Sequence, residues 1–503
     1  MVLGTASDAG KSLTVAALCR IMRQDGFNVA PFKAQNMSLN SFATREGHEI
    51  GRAQAVQAQA AGIEPHVDMN PILLKPTSDI GSQVILNGKV LGNHKAVDYY
   101  KLKPQLLEAV AAAYGRLSSR HDVIVLEGAG SPVEMNLKDR DVVNLKMAEI
   151  ADAKCLLVAD IDRGGVFASL IGTYSLLEPD ERARFCGFLV NKFRGDVSLF
   201  LPGIDYLEAR LAQTCLGVIP YLHNHGIDDE DSVPVERRAV GAPTVNEDKL
   251  SVCIVGYPYL SNFTDFTALE QVPGVFVYYT RRPDEAHSAD ILILPGSKNT
   301  ISDLLWLKES GWASTIGEHV RARKPLLGIC GGYQMLGHEI TDPAGVESNV
   351  KRVSGLGLLD VTTVLTGDKI TRQATAKLHT SAPFCNGVSE PSLFGYEIHL
   401  GETHLTNGLK PLLRLRRSDE TEERYDGAVT SDGLILGTYL HGLFDSAEAL
   451  LFFISYWLKV RGKAKGDGDF IDPLVARERR YDLLAAHYRQ HLRLNIVYEA
   501  LGL

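Results

Sequence analysis

Cys330 stands in the run Leu326-Leu327-Gly328-Ile329-Cys330-Gly331-Gly332-Tyr333-Gln334-Met335-Leu336, an apolar stretch that gives way to a helical one at the cysteine. The glycines on either side let a strand and a helix approach closely, and such an elbow forces the thiol into a strained, accessible position near a helix N-terminus. That is the placement of a nucleophile. The N–H of Gly331 is set to stabilise an oxyanion, and the loop Leu294-Pro295-Gly296-Ser297, at the end of another apolar run, offers Gly296 as a second donor. A thiol nucleophile needs a base. Among 15 histidines, His441 follows the apolar run Leu434–Leu440 and precedes Gly442, a strand-end position, while His399 and His404 are rivals. A purely structural buried cysteine accounts for neither the glycines nor the strand-end histidine.

A second chemical signal opens the chain. Gly4-Thr5-Ala6-Ser7-Asp8-Ala9-Gly10-Lys11-Ser12 lies between a short apolar run and the helical stretch Leu13–Asp25. Backbone N–H groups in such a loop close around phosphate oxygens, a lysine reaches the outer phosphates, and a serine hydroxyl can ligate Mg²⁺. Gly4, Thr5, Asp8, Gly10, Lys11 and Ser12 are therefore the candidate ATP contacts, although five residues separate Gly4 from Gly10-Lys11 where the usual spacing is four. Glu127, at the end of the apolar run Val123–Leu126 and before Gly128-Ala129-Gly130, can hold Mg²⁺ or its water shell, with a capping glutamate at a loop start the alternative. Lys33, closing Ala30-Pro31-Phe32, is a candidate for neutralising phosphate or substrate charge; a solvated lysine is the plain alternative.

These residues need strands to carry them. Val29–Phe32, Asp122–Leu126, Lys154–Ala159 and Gly187–Val190 read as buried parallel strands alternating with helical stretches, which predicts an N-terminal doubly wound α/β sheet over residues 1–225. Polar and charged residues dominate 226–249, a predicted linker. A second α/β series begins at Leu250 and continues through Asp290–Leu294, Pro325–Ile329 and Leu434–Tyr439, giving a domain over 250–448. Residues 449–503, rich in Leu, Arg and Ala at helical spacing, are expected to pack on that second domain.

Bulk properties exclude several function classes. A chain of 503 residues exceeds one compact core, and a formal charge of −9 leaves no basic footprint for nucleic acid or anionic membrane. The longest strongly apolar stretch, Ala449–Val460, is too short for a membrane span and includes Ser455 and Lys459. Seven scattered cysteines (19, 155, 186, 215, 253, 330, 385) have no CxxC or metal-ligand spacing and read as reduced thiols. With no leader-like opening, these features predict a cytoplasmic protein. Only Met1-Val2-Leu3 precede Gly4, short for a buried strand, which predicts a first strand slightly longer than the chain begins with.

Two resemblances give these pieces a reaction. The loop Gly4–Ser12, the strand-end Lys33 and Glu127-Gly128-Ala129-Gly130 resemble the dethiobiotin synthetase branch of P-loop enzymes, which share the five-residue spacing and use ATP to make mixed anhydrides; by position this implies Asn191 as an adenine contact, with a turn asparagine the alternative. Ile329–Gly337 resembles the nucleophile motif of class I glutamine amidotransferases, and Tyr439-Leu440-His441-Gly442 their histidine motif. Most of that class has His-x-Glu, but here His441-Gly442-Leu443 lacks the acid, as in the cobyric acid synthase and cobyrinate diamide synthase subgroup. What orients His441 stays open, with Asp445 and Glu397 as candidates.

Pro31–Asn40, Asn70–Pro76 and Leu260–Phe266 fit the cobyric acid synthases, and the segment 34–40 differs from that of the diamide synthases. The resemblance spans nearly the whole chain. It implies a C-terminal α/β class I glutamine amidotransferase domain and an ATP- and glutamine-dependent ligase acting on adenosylcobyrinic acid a,c-diamide, with amidation of the b, d, e and g carboxylates. The corrinoid is then substrate rather than cofactor, no redox cofactor is implied, and Mg²⁺ accompanies ATP. Lys33, Gln35, Asn36, Ser38 and Asn40 are the candidate substrate contacts. Another amidotransferase-coupled ligase is the nearest alternative. A partition-type switch ATPase is remote, because it has no need of a cysteine elbow and is expected to carry a second lysine where this chain has Thr5-Ala6.

Overall fold

A computed structural model describes residues 1–78, 81–223, 225–227, 249–379, 383, 391–406 and 408–503. The chain forms two compact units: Met1–Ser38, Glu49–Ile227 and Arg477–Leu503 make the first, Leu39–His48 and Asp228–Ala476 the second. The predicted linker 226–249 lies mostly outside the described residues, as does Cys385. Cys19, Cys155, Cys186, Cys215, Cys253 and Cys330 are free thiols. No helix among the described residues is long and apolar enough to cross a membrane.

In the first unit β1 (Val2–Gly4), β2 (Val29–Phe32), β3 (Val123–Leu126), β4 (Cys155–Asp160), β5 (Phe185–Phe193) and β6 (Cys215–Pro220) carry short, largely buried apolar runs. Such runs suit a parallel sheet covered on both faces. They lie in the order β2-β3-β1-β4-β5-β6, all parallel, with β3 and β1 joined at the Val2–Glu127 bridge. β1 therefore sits centrally, and its C-terminal end delivers the glycine loop directly into the helix Lys11–Gln24. A smaller sheet, Gln35–Met37 with Ile72–Ser78, Gly81–Leu86 and Lys89–Lys95, was not legible from apolar periodicity, because its outermost strand is largely exposed.

In the second unit β7 (Leu250–Val255), β8 (Val275–Thr280), β9 (Ile291–Leu294), β10 (Leu326–Ile329), β11 (Ala428–Val429) and β12 (Ile435–Thr438) run in the order β8-β7-β9-β10-β12-β11, parallel except for the last pair. A second, mainly antiparallel sheet is built on the long strands Val361–Leu378 and Ser392–Leu405. The ends of β9, β10 and β12 bring Gly296, Cys330 and His441 to the same edge of the main sheet. This is where an open parallel sheet places its ligands.

The C-terminal helices depart from expectation. Ala447–Arg461 does pack into the second unit, burying Phe453 and Trp457. Residues from Arg477 onward instead belong to the first unit. The cause lies in the helix Lys11–Gln24, where the run Thr14–Met22 is buried on every side and so needs cover on the face turned away from the sheet. Tyr481, Leu484, Ala485 and Tyr488 join Val15, Leu18, Cys19 and Met22 in one apolar cluster. Tyr488 Oη lies 3.0 Å from Thr14 Oγ1, and Arg20 pairs with Glu478 and Asp482 at 2.8 Å. Leu484→Ala, which truncates a fully buried side chain, is expected to cost about 2–5 kcal/mol. Hydrogen exchange should show loss of protection in Lys11–Gln24 with β7 and β9 unaffected; an equal loss in both units contradicts this packing.

Candidate active site

Cys330 follows β10 with φ 52° and ψ −110°, a positive-φ conformation that a residue with a Cβ adopts only under constraint. Its N–H donates to Thr438 O at 2.8 Å, and Gly332 N–H donates to Pro295 O at 3.1 Å. A Cβ on Gly332 would stand 1.9 Å from Leu294 O, so only glycine lets the helix Gly331–Leu336 come this close to the end of β9. The thiol is nearly buried and hydrogen-bonds to Ile398 O at 3.5 Å.

His441 is buried, and its Nδ1 lies 2.7 Å from Asp265 Oδ2. The other oxygen of Asp265 accepts the Gly442 N–H at 3.1 Å, so the carboxylate clamps both the imidazole and the backbone behind it. Tyr396 stacks on the imidazole at 5.3 Å and 17°, and the backbones of the two residues exchange hydrogen bonds of 2.8 and 3.1 Å. Burial pushes the imidazolium down. The charge and hydrogen bond of Asp265, with a further hydrogen bond from Cys330, more than offset this and raise it to about 10. An imidazolium beside a sulfur supplies the counter-charge that an attacking thiolate needs.

The predicted oxyanion donors lie against this pair. Gly296 is held antiparallel to Ser261, and a Cβ on it would meet His441 Cε1 at 3.1 Å; one on Gly331 would meet Ser297 N at 2.9 Å. Ser297 is fixed by donating to Asp303 Oδ2 at 2.5 Å, and burial pushes the Asp303 carboxyl up to about 7.

In the first unit, Gly10 takes φ 100° at the start of its helix, and a Cβ there would stand 2.0 Å from Asn191 Nδ2. Asn191 donates to Ala9 O at 3.0 Å, and Lys11 Nζ to Ala6 O at 2.9 Å and Gly130 O at 3.0 Å. Gly4 and Thr5 form the start of the loop, with Thr5 N–H donating to Val158 O at 2.9 Å, and Asp8 pairs with Arg163 at 2.8 Å. Glu127 is the hub: its Oε1 accepts from Ser12 Oγ at 2.8 Å and Lys33 Nζ at 2.9 Å, its Oε2 from Gln57 Nε2 at 2.5 Å. A hydroxyl and a carboxylate side by side are hard oxygen donors suited to Mg²⁺. Among the described residues no group of three or more His, Cys, Asp or Glu could enclose a metal. Nucleotide phosphates and water would have to supply the remaining ligands.

Comparison with known proteins decides the family. A CobB/CobQ-like glutamine amidotransferase domain matches residues 251–449, and a CobQ/CobB/MinD/ParA nucleotide binding domain matches residues 1–235. Proteins named cobyric acid synthase resemble the chain throughout. That of Syntrophobacter fumaroxidans is 48% identical over 509 residues, covering 100% of this chain and 98% of the relative. Those of Yersinia enterocolitica (47%, covering 98% and 96%) and Desulforamulus reducens (47%, covering 100% and 98%) are similar. The chain belongs to the cobyric acid synthase family. It is a glutamine-dependent, ATP-using ligase with an N-terminal P-loop domain and a C-terminal class I glutamine amidotransferase domain.

In this member of the family, the structure brings Cys330, His441, Gly296 and Gly331 together and gathers Lys11, Ser12, Lys33, Glu127 and Asn191 around the glycine loop. Neither candidate for orienting His441 does so. Glu397 is held down to about 2 because His399 and Arg417 together outweigh its burial, and Asp445 lies beside Gly442. The orienting acid is Asp265, 176 positions away from His441 in sequence. The stretch Leu260–Phe266 contains it, but nothing in its spacing marks an acid that only folding carries to the imidazole. The rival histidines make other contacts: His399 stacks on Tyr439 at 3.8 Å, and His404 is exposed. The candidate substrate contacts are divided. Gln35 accepts from Tyr99 and Asn36 donates to Gln54, both in the first unit with Ser38, whereas Asn40 belongs to the second.

Asp265→Asn keeps a hydrogen-bond acceptor for Nδ1 but removes the charge. Because His441 is raised, its protonated form persists through neutral pH and is lost only as pH rises through about 10. In the variant, burial acts without the opposing carboxylate. The alkaline limb of the glutaminase pH profile should move to lower pH, with turnover falling on the order of 10²–10⁴-fold. An unmoved limb contradicts the role of Asp265.

Proposed function

We propose that the chain converts adenosylcobyrinic acid a,c-diamide to cobyric acid by amidating its b, d, e and g carboxylates, with ammonia drawn from glutamine at Cys330. The observation that carries this reading is the acid–histidine–thiol arrangement of Asp265, His441 and Cys330, in a chain whose full-length relatives bear the cobyric acid synthase name.

Cys330 Sγ attacks the carboxamide carbon of glutamine while the Gly331 and Gly296 N–H groups receive the developing oxyanion. Protonated His441, held by Asp265, gives its Nε2 proton to the departing nitrogen, and ammonia leaves behind a thioester. Water then attacks the thioester with His441 taking its proton, releasing glutamate and the thiol. In the first unit Lys11 and the loop N–H groups hold the ATP phosphates, with Asn191 at the adenine side. The substrate carboxylate takes the γ-phosphoryl group, giving an acyl phosphate and ADP; ammonia displaces phosphate to leave the amide. Ser12 and Glu127 would hold Mg²⁺, which when bound neutralises charge on the phosphates. Lys33, which pairs with Glu127 at 2.9 Å, is proposed to offset the charge of the reacting carboxylate. Gln35, Asn36, Ser38 and Asn40 are the proposed corrinoid contacts.

The two chemistries separate by mutation. Cys330→Ala should abolish amidation driven by glutamine and leave amidation driven by ammonium salts. Glu127→Gln should lower amidation from either nitrogen source on the order of 10²-fold or more while leaving glutamine hydrolysis measurable. Mass analysis of the corrinoid counts the amides added. Loss of ammonia-driven synthesis in Cys330→Ala, or a product with no added amide, overturns the scheme.

A further inference from the structure

The ten residues Leu39–His48 interrupt the first unit: the chain leaves it after Ser38, contributes this segment to the second unit and returns at Glu49. Within the second unit the segment lies behind the candidate base. The Ser41 N–H donates to Asn262 Oδ1 at 3.0 Å, and Asn262 Nδ2 lies 3.5 Å from His441 Nε2. Phe42 packs against Tyr396 at 5.2 Å on a ring that stacks on His441, and Ala43 joins Tyr396 and Ile398 in a small buried cluster. Gln373 and Ser418 tie the segment down through the carbonyls of Ala43 and Arg45 at 3.2 and 3.3 Å.

A backbone N–H can only donate, so Ser41 fixes which way the Asn262 amide faces. With Oδ1 turned to Ser41, the NH₂ group must face Nε2. That orientation suits a neutral imidazole with its proton on Nδ1. It offers the imidazolium Nε2–H no acceptor on that side, leaving Cys330 Sγ as its partner, and Nε2 is the atom through which the thiol proton must pass. Asn262 itself takes φ 54°, a left-handed backbone that asparagine tolerates better than most residues.

We propose that Asn262 is a positioning residue that restrains His441, and that Leu39–His48 is the strap that sets the restraint. The inference rests on the reading of Cys330 and His441 as the glutaminase pair. With Ser41 in place the amide donor weakens the base; when the strap shifts, the amide is free to turn and offer Oδ1 to Nε2–H. Covalent continuity supplies the signal. Just before the strap lies the strand Gln35–Met37, with Gln35 and Asn36 among the proposed corrinoid contacts, and Asn40, another of them, lies on the strap itself. After it come Glu49–Gly51 and the helix Arg52–Ala61, whose Gln57 holds Glu127 at 2.5 Å. One end of the strap therefore leads to proposed corrinoid contacts and the other, through Gln57, to the proposed Mg²⁺ holder Glu127, so binding of acceptor and ATP releases glutamine hydrolysis only when ammonia has a destination.

The test is glutamine hydrolysis by the full chain, without ATP or corrinoid and then with both. Asn262→Gly keeps the left-handed backbone and deletes the amide. Asn262→Asp tolerates the same backbone and presents oxygen to both Ser41 and His441. Each should raise the basal kcat about 2- to 10-fold, the equivalent of one modest hydrogen bond, with KM for glutamine unchanged. The ratio of stimulated to basal rate should fall towards one, and ammonia-driven amidation should stay at the wild-type rate. Phe42→Ala, which loosens the strap without touching Asn262, should move the ratio the same way. A basal kcat at or below wild type in both Asn262 variants, with thermal unfolding unchanged, overturns the proposal. Persistence of hydrolysis in Cys330→Ala would instead sink the reading of the site on which it rests, so the two failures are distinguishable.

Discussion

The backbone at Cys330, φ 52° and ψ −110°, stores strain of about 1–3 kcal/mol, and much of the second unit can be understood as the structure that holds it. The strand β10 is fixed between β9 and β12, so the chain reaches the turn with no freedom to relax backwards. Beyond the turn the helix cannot relax forwards either, because Gly332 is pressed against Leu294 O and its N–H is taken by Pro295 O. Gln334 adds side-chain bonds to Leu400 O at 2.9 Å and Tyr439 Oη at 3.0 Å, pinning the helix to the antiparallel sheet. The strained residue is thereby held by packing on both sides.

The first unit solves a different problem with the same geometry. Its central strand also ends in a glycine-lined turn into a helix, but what must be held there is charge. Glu127 and Lys33 are both almost fully buried, and a lone ion in such a place is costly to desolvate. The structure satisfies the carboxylate from Ser12, Lys33 and Gln57. A site with its acid already fully hydrogen-bonded needs little rearrangement to receive a charged ligand, which is the economy of preorganisation.

What was legible in the sequence was whatever is local. The elbow, the glycine loop and the strand-end Glu127 are contiguous motifs, and the apolar runs at 29–32, 250–255, 291–294 and 326–329 appear as strands at or within a residue of where hydrophobicity placed them. The antiparallel layer was not legible, because Val361–Leu378 alternates buried and open positions with many polar residues and lacks a continuous apolar run. Asp265 was hidden for a related reason: a carboxylate is chosen as partner by three-dimensional proximity, which no periodicity encodes. The helix Pro473–His491 shows helical spacing clearly, yet the partner it covers is decided by the unmet apolar surface of Lys11–Gln24, far away in sequence. Reading type from pattern succeeded where reading partner from pattern could not.

That distinction bears on where control of the enzyme can reside. In the first unit the hub carboxylate has its hydrogen bonds met by matched partners, so its resting state is already arranged for chemistry. In the second, Asp265 holds Nδ1 firmly at 2.7 Å while Nε2 faces an amide donor at the long distance of 3.5 Å. One side of the imidazole is built to keep it charged and the other to resist that charge. A conflict of this kind is not needed for folding, since the apolar core and the sheet hydrogen bonds stand without it. It is stable only while Ser41 holds the amide in place, and Ser41 sits on a segment whose two ends return to the first unit. The mismatch at Nε2 therefore makes the glutaminase half the natural place for restraint, and leaves the ATP half as the place from which restraint is lifted.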